Sequence, residues 1–558
     1  MPGNAPFPSR PSIRRAAVPA AVLALALVAA CSGPPKNNDN PAGPSGGGTN
    51  AGGFALSAGT PPAKGDIDKF GWALYAEPLT LDWIQAFDYP QNTVLSNVCE
   101  SLMRWTPDLK VQPGLAQKAS NPDPNTWVYD LRQGVKFHNG ETMTADDVVF
   151  SFGRQMNPDL AASWAESFEN VDAVTATGPL QVTVKLKKPD SLFPQLMATA
   201  AGVVANRRGV EAHGKDYGVE GSLECTGPYR LARWAKGQSV DLERFNGYWG
   251  TKPKAKTVEF KFLTDPSART NAMLSGEVDG GFLIPTESYQ RLRAGGVGTL
   301  YAGEGLSTVN VNVTSMKGAL GDVRVRRALS MALDRSGFVK TALAGNGTVT
   351  NSITPKASWT GSSPQVPADA FDKLPPSAQD IDGAKKLIEE AGAKGKKVVV
   401  ATSPIGQDVS LLATAIQDAG TRIGLDVELE TIAPDAFSAL FTDPAAREGI
   451  DMFPETYYLS VTDPVDLLRN FRTGGYQNHA GYSNPEYDAL VEQITATYDP
   501  QQRIALEAKL QKMAADQVLW MPVAEWPSTV FLNKRITGAP TTIAYMYYPW
   551  AADVGAAG

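Results

Sequence analysis

Histidine occurs at only three positions in this 558-residue chain, His138, His213 and His479. Any chemistry that uses imidazole as a base, a proton shuttle or a metal ligand therefore has few candidates. His138 stands in LRQGVKFHNGETMTADDVVFSF (131 to 152), shortly before the adjacent Asp146 and Asp147. That arrangement raises three readings: a base oriented by a carboxylate, a lone metal ligand, or a hairpin histidine bonded to backbone. Elsewhere GPSGG (43 to 47) matches the nucleophile pattern G-x-S-x-G, but it lies in a Gly- and Ser-rich stretch and not on a strand-to-helix elbow. GVEAHGKD (209 to 216) approaches a phosphate-binding loop but has Asp216 where the magnesium-binding hydroxyl belongs. No H-E-x-x-H and no cysteine pair at zinc spacing occurs. The chain offers no specific catalytic machinery and calls for no cofactor.

The elements around these residues explain them more simply. NTWVYDLRQG alternates Trp127, Tyr129 and Leu131 against Val128, Asp130 and Arg132, which predicts a strand running into a hairpin that carries His138. Thr144 three residues before Asp147 predicts a capping box, with both aspartates in a first helical turn where negative charge is favoured. LQVTVKLKKPD predicts a half-buried strand, and KTVEFKFLTDPSARTNAMLSGEVDGGF a strand, a helix from about Pro266 and a short strand. Helical spacing recurs at Val325, Ala328, Leu329, Ala332 and Leu333, and again at Ala384, Leu387, Ile388 and Ala391 before Gly392. KVVVATSPIGQDVSLLATAIQDAGTRIGLDVELETI predicts a βαβ unit with a right-handed crossover, whose ligands would lie at the strand C-termini.

At the N-terminus Arg10, Arg14 and Arg15 precede the apolar run Ala16 to Ala30, which has the anatomy of an export signal and is short for a membrane span. The run stops at Val28, Ala29, Ala30 and Cys31, which resembles the bacterial lipobox, where the cysteine is lipidated and becomes the new N-terminus. Residues 1–30 are thus expected to be a lipoprotein signal peptide and 31–65, rich in Gly, Pro and Ser, a flexible tether.

Loss of the three leader arginines moves the net charge from −7 to about −10, and no basic block stands out, which argues against nucleic acid as a partner. The length calls for two or more lobes, both α/β. Outside the cell Cys99 and Cys225 are expected to form a disulfide, two separate buried thiols being the alternative.

Several stretches resemble the family 5 extracellular solute-binding proteins of ABC importers, which include dipeptide-, oligopeptide- and nickel-binding proteins. PGLAQKASNPDPNTWVYDLRQGVKFHNGETMTADDVVFSF is similar to the family signature, with Asn139 in place of its usual aspartate. CTGPYRLARW, SGEVDG, VRVRRALSMALDR and GYSNPEYDAL follow in the family order.

The resemblance implies a two-lobed α/β periplasmic-binding-protein-like fold, type II and cluster C-like, with mixed sheets and a hinge. Its lobes would be 66–308, completed by 527–558, and 309–526. It also makes His138 a structural hairpin residue. The implied role is capture of a solute, most of all an oligopeptide, between closing lobes of a lipid-anchored monomer and delivery to the transmembrane subunits of a permease. An oligosaccharide or a chelated metal is the alternative cargo, and a cell-surface hydrolase or an importer-independent receptor the alternative class.

Peptide-binding members pair the peptide ammonium with an aspartate that aligns here on Ser460 of ETYYLSVTDPVDLL, so either Glu455 or Asp463 takes that role or the ligand has no free amine there. Tyr457, Tyr458, Trp359 and Trp526 are the aromatic candidates for the cleft wall.

Overall fold

The computed structural model describes residues 54–219, 223–359 and 369–558. Cys31, the expected leader and most of the expected tether lie outside the described residues. The organising element is an 11-stranded mixed sheet that runs through the molecule. Its centre is two long antiparallel strands, Gly298–Val313 of 16 residues and Trp520–Asn533 of 14. On one side of this pair lie Met452–Tyr458, Lys397–Thr402 and Asp426–Thr431, and on the other Gly280–Phe282, Ile67–Leu74, Ala255–Phe262, Ser239–Arg244 and Tyr229–Ala235.

The expected βαβ unit is present. Lys397–Thr402 and Asp426–Thr431 pair in parallel, joined by the helix Gln407–Arg422. That helix buries Val409, Leu412, Ala413 and Ile416, the i, i+3, i+4, i+7 stripe that its sequence predicts. A separate four-stranded antiparallel sheet contains Thr126–Leu131, whose Trp127, Tyr129 and Leu131 face inward. The capping box also forms: Asp147 accepts from the Thr144 amide at 2.9 Å and from its hydroxyl at 3.1 Å, opening the helix Ala145–Gln155.

Two principal apolar cores flank the long strand pair. One gathers side chains from Phe70 to Phe260 together with the C-terminal Tyr545, Trp550 and Val554, and apolar residues between Leu459 and Trp520 join it. The other is built from residues between Val309 and Val427 with Met452, Met521 and Val523. The same strand pair contributes to both, so each core is anchored to the segments that connect them. Burial of this much apolar surface supplies the main favourable free energy of each lobe, at roughly 25 cal/mol per Å².

Cys99 and Cys225 are bonded to each other, tying together positions 126 residues apart. His138 sits beside this bond. Its amide donates to the Cys225 carbonyl at 2.9 Å, and its ring nitrogens lie 3.2 Å from the Leu223 carbonyl and 3.1 Å from that of Gly227. Burial holds the imidazole below its ordinary pKa, against the pull of the two carbonyls. The histidine that suggested chemistry is part of a backbone clamp. No helix among the described residues is long and apolar enough to cross a membrane.

Candidate functional site

The long strands do not pair without interruption. Their register shifts between Gly303 and Ser307, and Leu306 there takes a left-handed φ of 47°. Gly305 is required at this bulge, because a Cβ would come within 2.4 Å of the Trp526 carbonyl oxygen. Pro527 on the opposite strand has no amide hydrogen to give to the ladder. The interruption forms the floor of a cleft of about 760 Å³, lined there by Gly305, Ser307, Trp526, Pro527 and Ser528. This volume lies in the range of small-molecule sites.

One wall comes from the loop after Gly280–Phe282, from the start of the helix Pro266–Ser275, and from Tyr75, Tyr89 and Tyr545. Tyr545 is held by stacking on Phe282, with ring centroids 3.8 Å apart and planes 8° from parallel. Leu283 on this wall is a second non-glycine residue in the left-handed region, at φ 52°. Such backbone costs on the order of 1–3 kcal/mol and is retained where the surroundings impose it. The facing wall is the turn Pro404 to Asp408 at the C-terminal end of Lys397–Thr402, with Thr456 beside it.

The polar groups of the cleft are incompletely matched. Arg269 is only 6% exposed and its Nη1 reaches the Leu263 carbonyl at 3.4 Å, while its Nε has no hydrogen-bond partner. Burial lowers this guanidinium's pKa, against the opposing charges of Glu287 and Asp265. The Tyr545 hydroxyl and the Ser528 Oγ are also buried and unpartnered. Buried polar atoms without partners are rare in folded proteins, and three in the lining of one cleft mark a surface suited to a polar ligand. Burial raises the Asp408 carboxyl, and the charge of Glu287 raises it further.

The residues expected from sequence are placed unevenly. Trp526 is on the cleft floor. Tyr458 packs on the cleft residue Tyr89, ring centroids 5.0 Å apart, and donates its hydroxyl to the Phe87 carbonyl. Tyr457 packs against Trp520 at 5.6 Å. Ser460 is half-buried and its amide donates to Asp466 at 3.1 Å.

Three of the expected residues lie off the cleft lining. Trp359 is fully buried in a small cluster with Ala370 and Ile504, its Nε1 donating to Thr354 at 2.9 Å, away from the cleft lining. Asp463 has no exposed surface and is ion-paired to Arg503 at 2.6 Å, so its charge is already matched inside the protein. Glu455 is buried against Asn312, while its neighbour Thr456 faces the cleft, because successive strand residues point to opposite faces.

Sequence reasoning did not single out Arg269, Glu287 or Asp408. The signal for Asp408 was present, since it lies in the first turn of the helix that follows the C-terminal end of a parallel strand.

Residues 110–479 match the family model described as bacterial extracellular solute-binding proteins, family 5 Middle. The glutathione-binding protein GsiB of Salmonella paratyphi A is 26% identical over 470 residues, covering 82% of this chain and 89% of that protein. The periplasmic oligopeptide-binding protein OppA of Haemophilus influenzae is 24% identical over 498 residues, covering 83% and 89%. Among solved structures, the ABC transporter-associated periplasmic binding protein DppA from Helicobacter pylori, in complex with the peptide STSA, superimposes with a TM-score of 0.77. It has 19% identity and covers 89% of this chain and 99% of that one.

Proposed function

Because the chain belongs to the bacterial extracellular solute-binding proteins of family 5, whose members serve ABC importers as binding components and not as enzymes, we propose that its cargo is an oligopeptide. The peptide occupies the cleft above the strand interruption at Gly305 and Trp526, and contacts to both walls favour the closed arrangement. The observation that carries this reading is the cleft's composition: a large cavity floored by strand backbone and Trp526, with the unpartnered Arg269 Nε, Tyr545 hydroxyl and Ser528 Oγ in its lining. Peptides present that mixture of carbonyls, amides, charged ends and apolar side chains. Relatives named for oligopeptide and glutathione binding agree with a peptide-like solute.

In this reading the lobes are 66–308 with 527–558, and 309–526, and the two long strands are the hinge. Trp526 and Tyr458 contribute aromatic surface, and Ser460 belongs to the segment beside the cleft. The chain works as a monomer anchored to the outer face of the cell membrane through lipid on Cys31, and passes its cargo to the transmembrane subunits of a permease.

The test is mass spectrometry of solute retained by protein purified from its native host without denaturation. A ladder of short peptides is the expected result. A single sugar mass or a metal-chelator mass would reject the peptide cargo and leave the binding role in place.

A further inference from the structure

The charge balance of the cleft is lopsided. Its lining holds three carboxylates, Asp265, Glu287 and Asp408, against one guanidinium, Arg269, a net of two negative charges. Asp265 is accounted for by the fold, since its carboxylate accepts from the Ala268 amide at 2.7 Å and caps the helix Pro266–Ser275. Arg269 lies between Asp265 and Glu287 electrostatically and offsets part of their charge. Asp408 has no salt-bridge partner among the described residues. It starts the helix Gln407–Arg422, takes hydrogen bonds from the local backbone and Thr456, and feels Glu287 from the other wall. Neither Asp408 nor Glu287 enters a salt bridge with a lysine, arginine or histidine among the described residues.

The two acids belong to different walls. Glu287 follows the short strand Gly280–Phe282, on the side of the first core, and Asp408 follows Lys397–Thr402, on the side of the second. Movement of the walls toward each other therefore brings like charges together while water is expelled, which strengthens their repulsion. We infer that Asp408 and Glu287 are a charge gate on closure: they oppose the closed state of the empty protein, and a ligand ammonium or guanidinium placed between them converts that opposition into attraction to both walls. The inference rests on the cleft being the solute site and narrows the cargo to solutes that carry a positive group, such as peptides with a free amino terminus or a basic side chain. The buried, unpartnered Arg269 Nε, Tyr545 hydroxyl and Ser528 Oγ are an independent sign that a polar ligand completes this site.

Closure of the ligand-free protein tests the gate without knowledge of the cargo. Spin labels on the exposed Gln290 and Glu430, one on each side, report the separation of the walls. Relative to wild type at low salt, E287Q/D408N is expected to raise the closed population about fivefold or more, and high salt to do the same for wild type by screening. Identical distance distributions for wild type and variant at low salt would overturn the gate. Should the double variant fail to fold, E287Q alone, at an exposed side chain, supplies the same comparison.

The second arm offers two tetrapeptide libraries free of Lys, Arg and His, one with free amino termini and one N-acetylated. Retention of the free-amine library about tenfold or more above the acetylated one is expected, with the preference lost in D408N. Equal retention of both would reject the cation requirement and leave peptide capture standing. Retention of neither would reject the peptide reading, and the ligand-free distances would then decide the gate alone.

Discussion

Asp463 and Arg503 form an ion pair with almost no access to water: Nη2 lies 2.6 Å from Oδ2, and the side chains are 0% and 7% exposed. Arg503 also reaches Glu507 at 3.1 Å. Removing one member of such a cluster strands a charge in a medium that cannot solvate it. Asp463→Ala is therefore expected to lower unfolding stability by about 3–5 kcal/mol and to leave the solute affinity of the remaining folded protein unchanged. A stable Asp463→Ala variant with weakened solute binding would return Asp463 to the role of ammonium partner.

Glu455 makes a pH-dependent contribution of predictable sign. Burial pushes its carboxyl from 4.5 up to about 8. Between those values the folded protein keeps a proton that the unfolded chain has released, so stability falls as pH rises through that window. Glu455→Gln keeps an acceptor for Asn312 and does not titrate. Its melting temperature is expected to match wild type near pH 4 and to exceed it above pH 8, by the equivalent of about 2 kcal/mol or more. Parallel melting curves across that range would show that the buried carboxyl is not the source of the dependence.

Two tryptophans separate affinity from stability. Trp526 is half-buried on the cleft floor and Trp359 is fully enclosed. Trp526→Ala is expected to weaken solute binding about tenfold with little change in melting temperature. Trp359→Ala is expected to cost about 3 kcal/mol or more of stability with affinity retained. Calorimetry and thermal unfolding on both variants check the assignment, and exchanged outcomes would refute it.

The bond between Cys99 and Cys225 spans 126 residues. In the chain-entropy model a loop of that length contributes about 4 to 5 kcal/mol. Replacing both cysteines by serine should lower the denaturation midpoint accordingly. Reduction of wild type should reproduce the loss, and non-reducing peptide maps should contain the linked pair. Two free thiols in those maps would contradict the bond.

The anchor proposed at Cys31 has a direct test. Cys31→Ser is expected to abolish lipidation and move the protein from the membrane fraction to the soluble one. Unchanged retention by membranes would exclude lipid on Cys31 as the anchor.

Much of this protein was readable from sequence wherever a local period or a local bond decides the structure. The alternation in Thr126–Leu131, the Thr144 and Asp147 capping box, the amphipathic Gln407–Arg422 helix and the parallel strands it joins all follow from repeats and hydrogen bonds spanning a few residues. The family signature around His138 was legible for the same reason, being a continuous stretch.

The identity of the cleft residues needed the tertiary structure. Asp463 is paired with Arg503, 40 residues away, and Glu455 is bonded to Asn312 on the face of its strand opposite Thr456. Asp408 and Glu287 line the cleft because separate segments carry them to opposite walls of one cavity. A periodic pattern tells which face of an element turns inward, but the charge and solvation a carboxylate experiences depend on groups brought beside it from elsewhere in the chain.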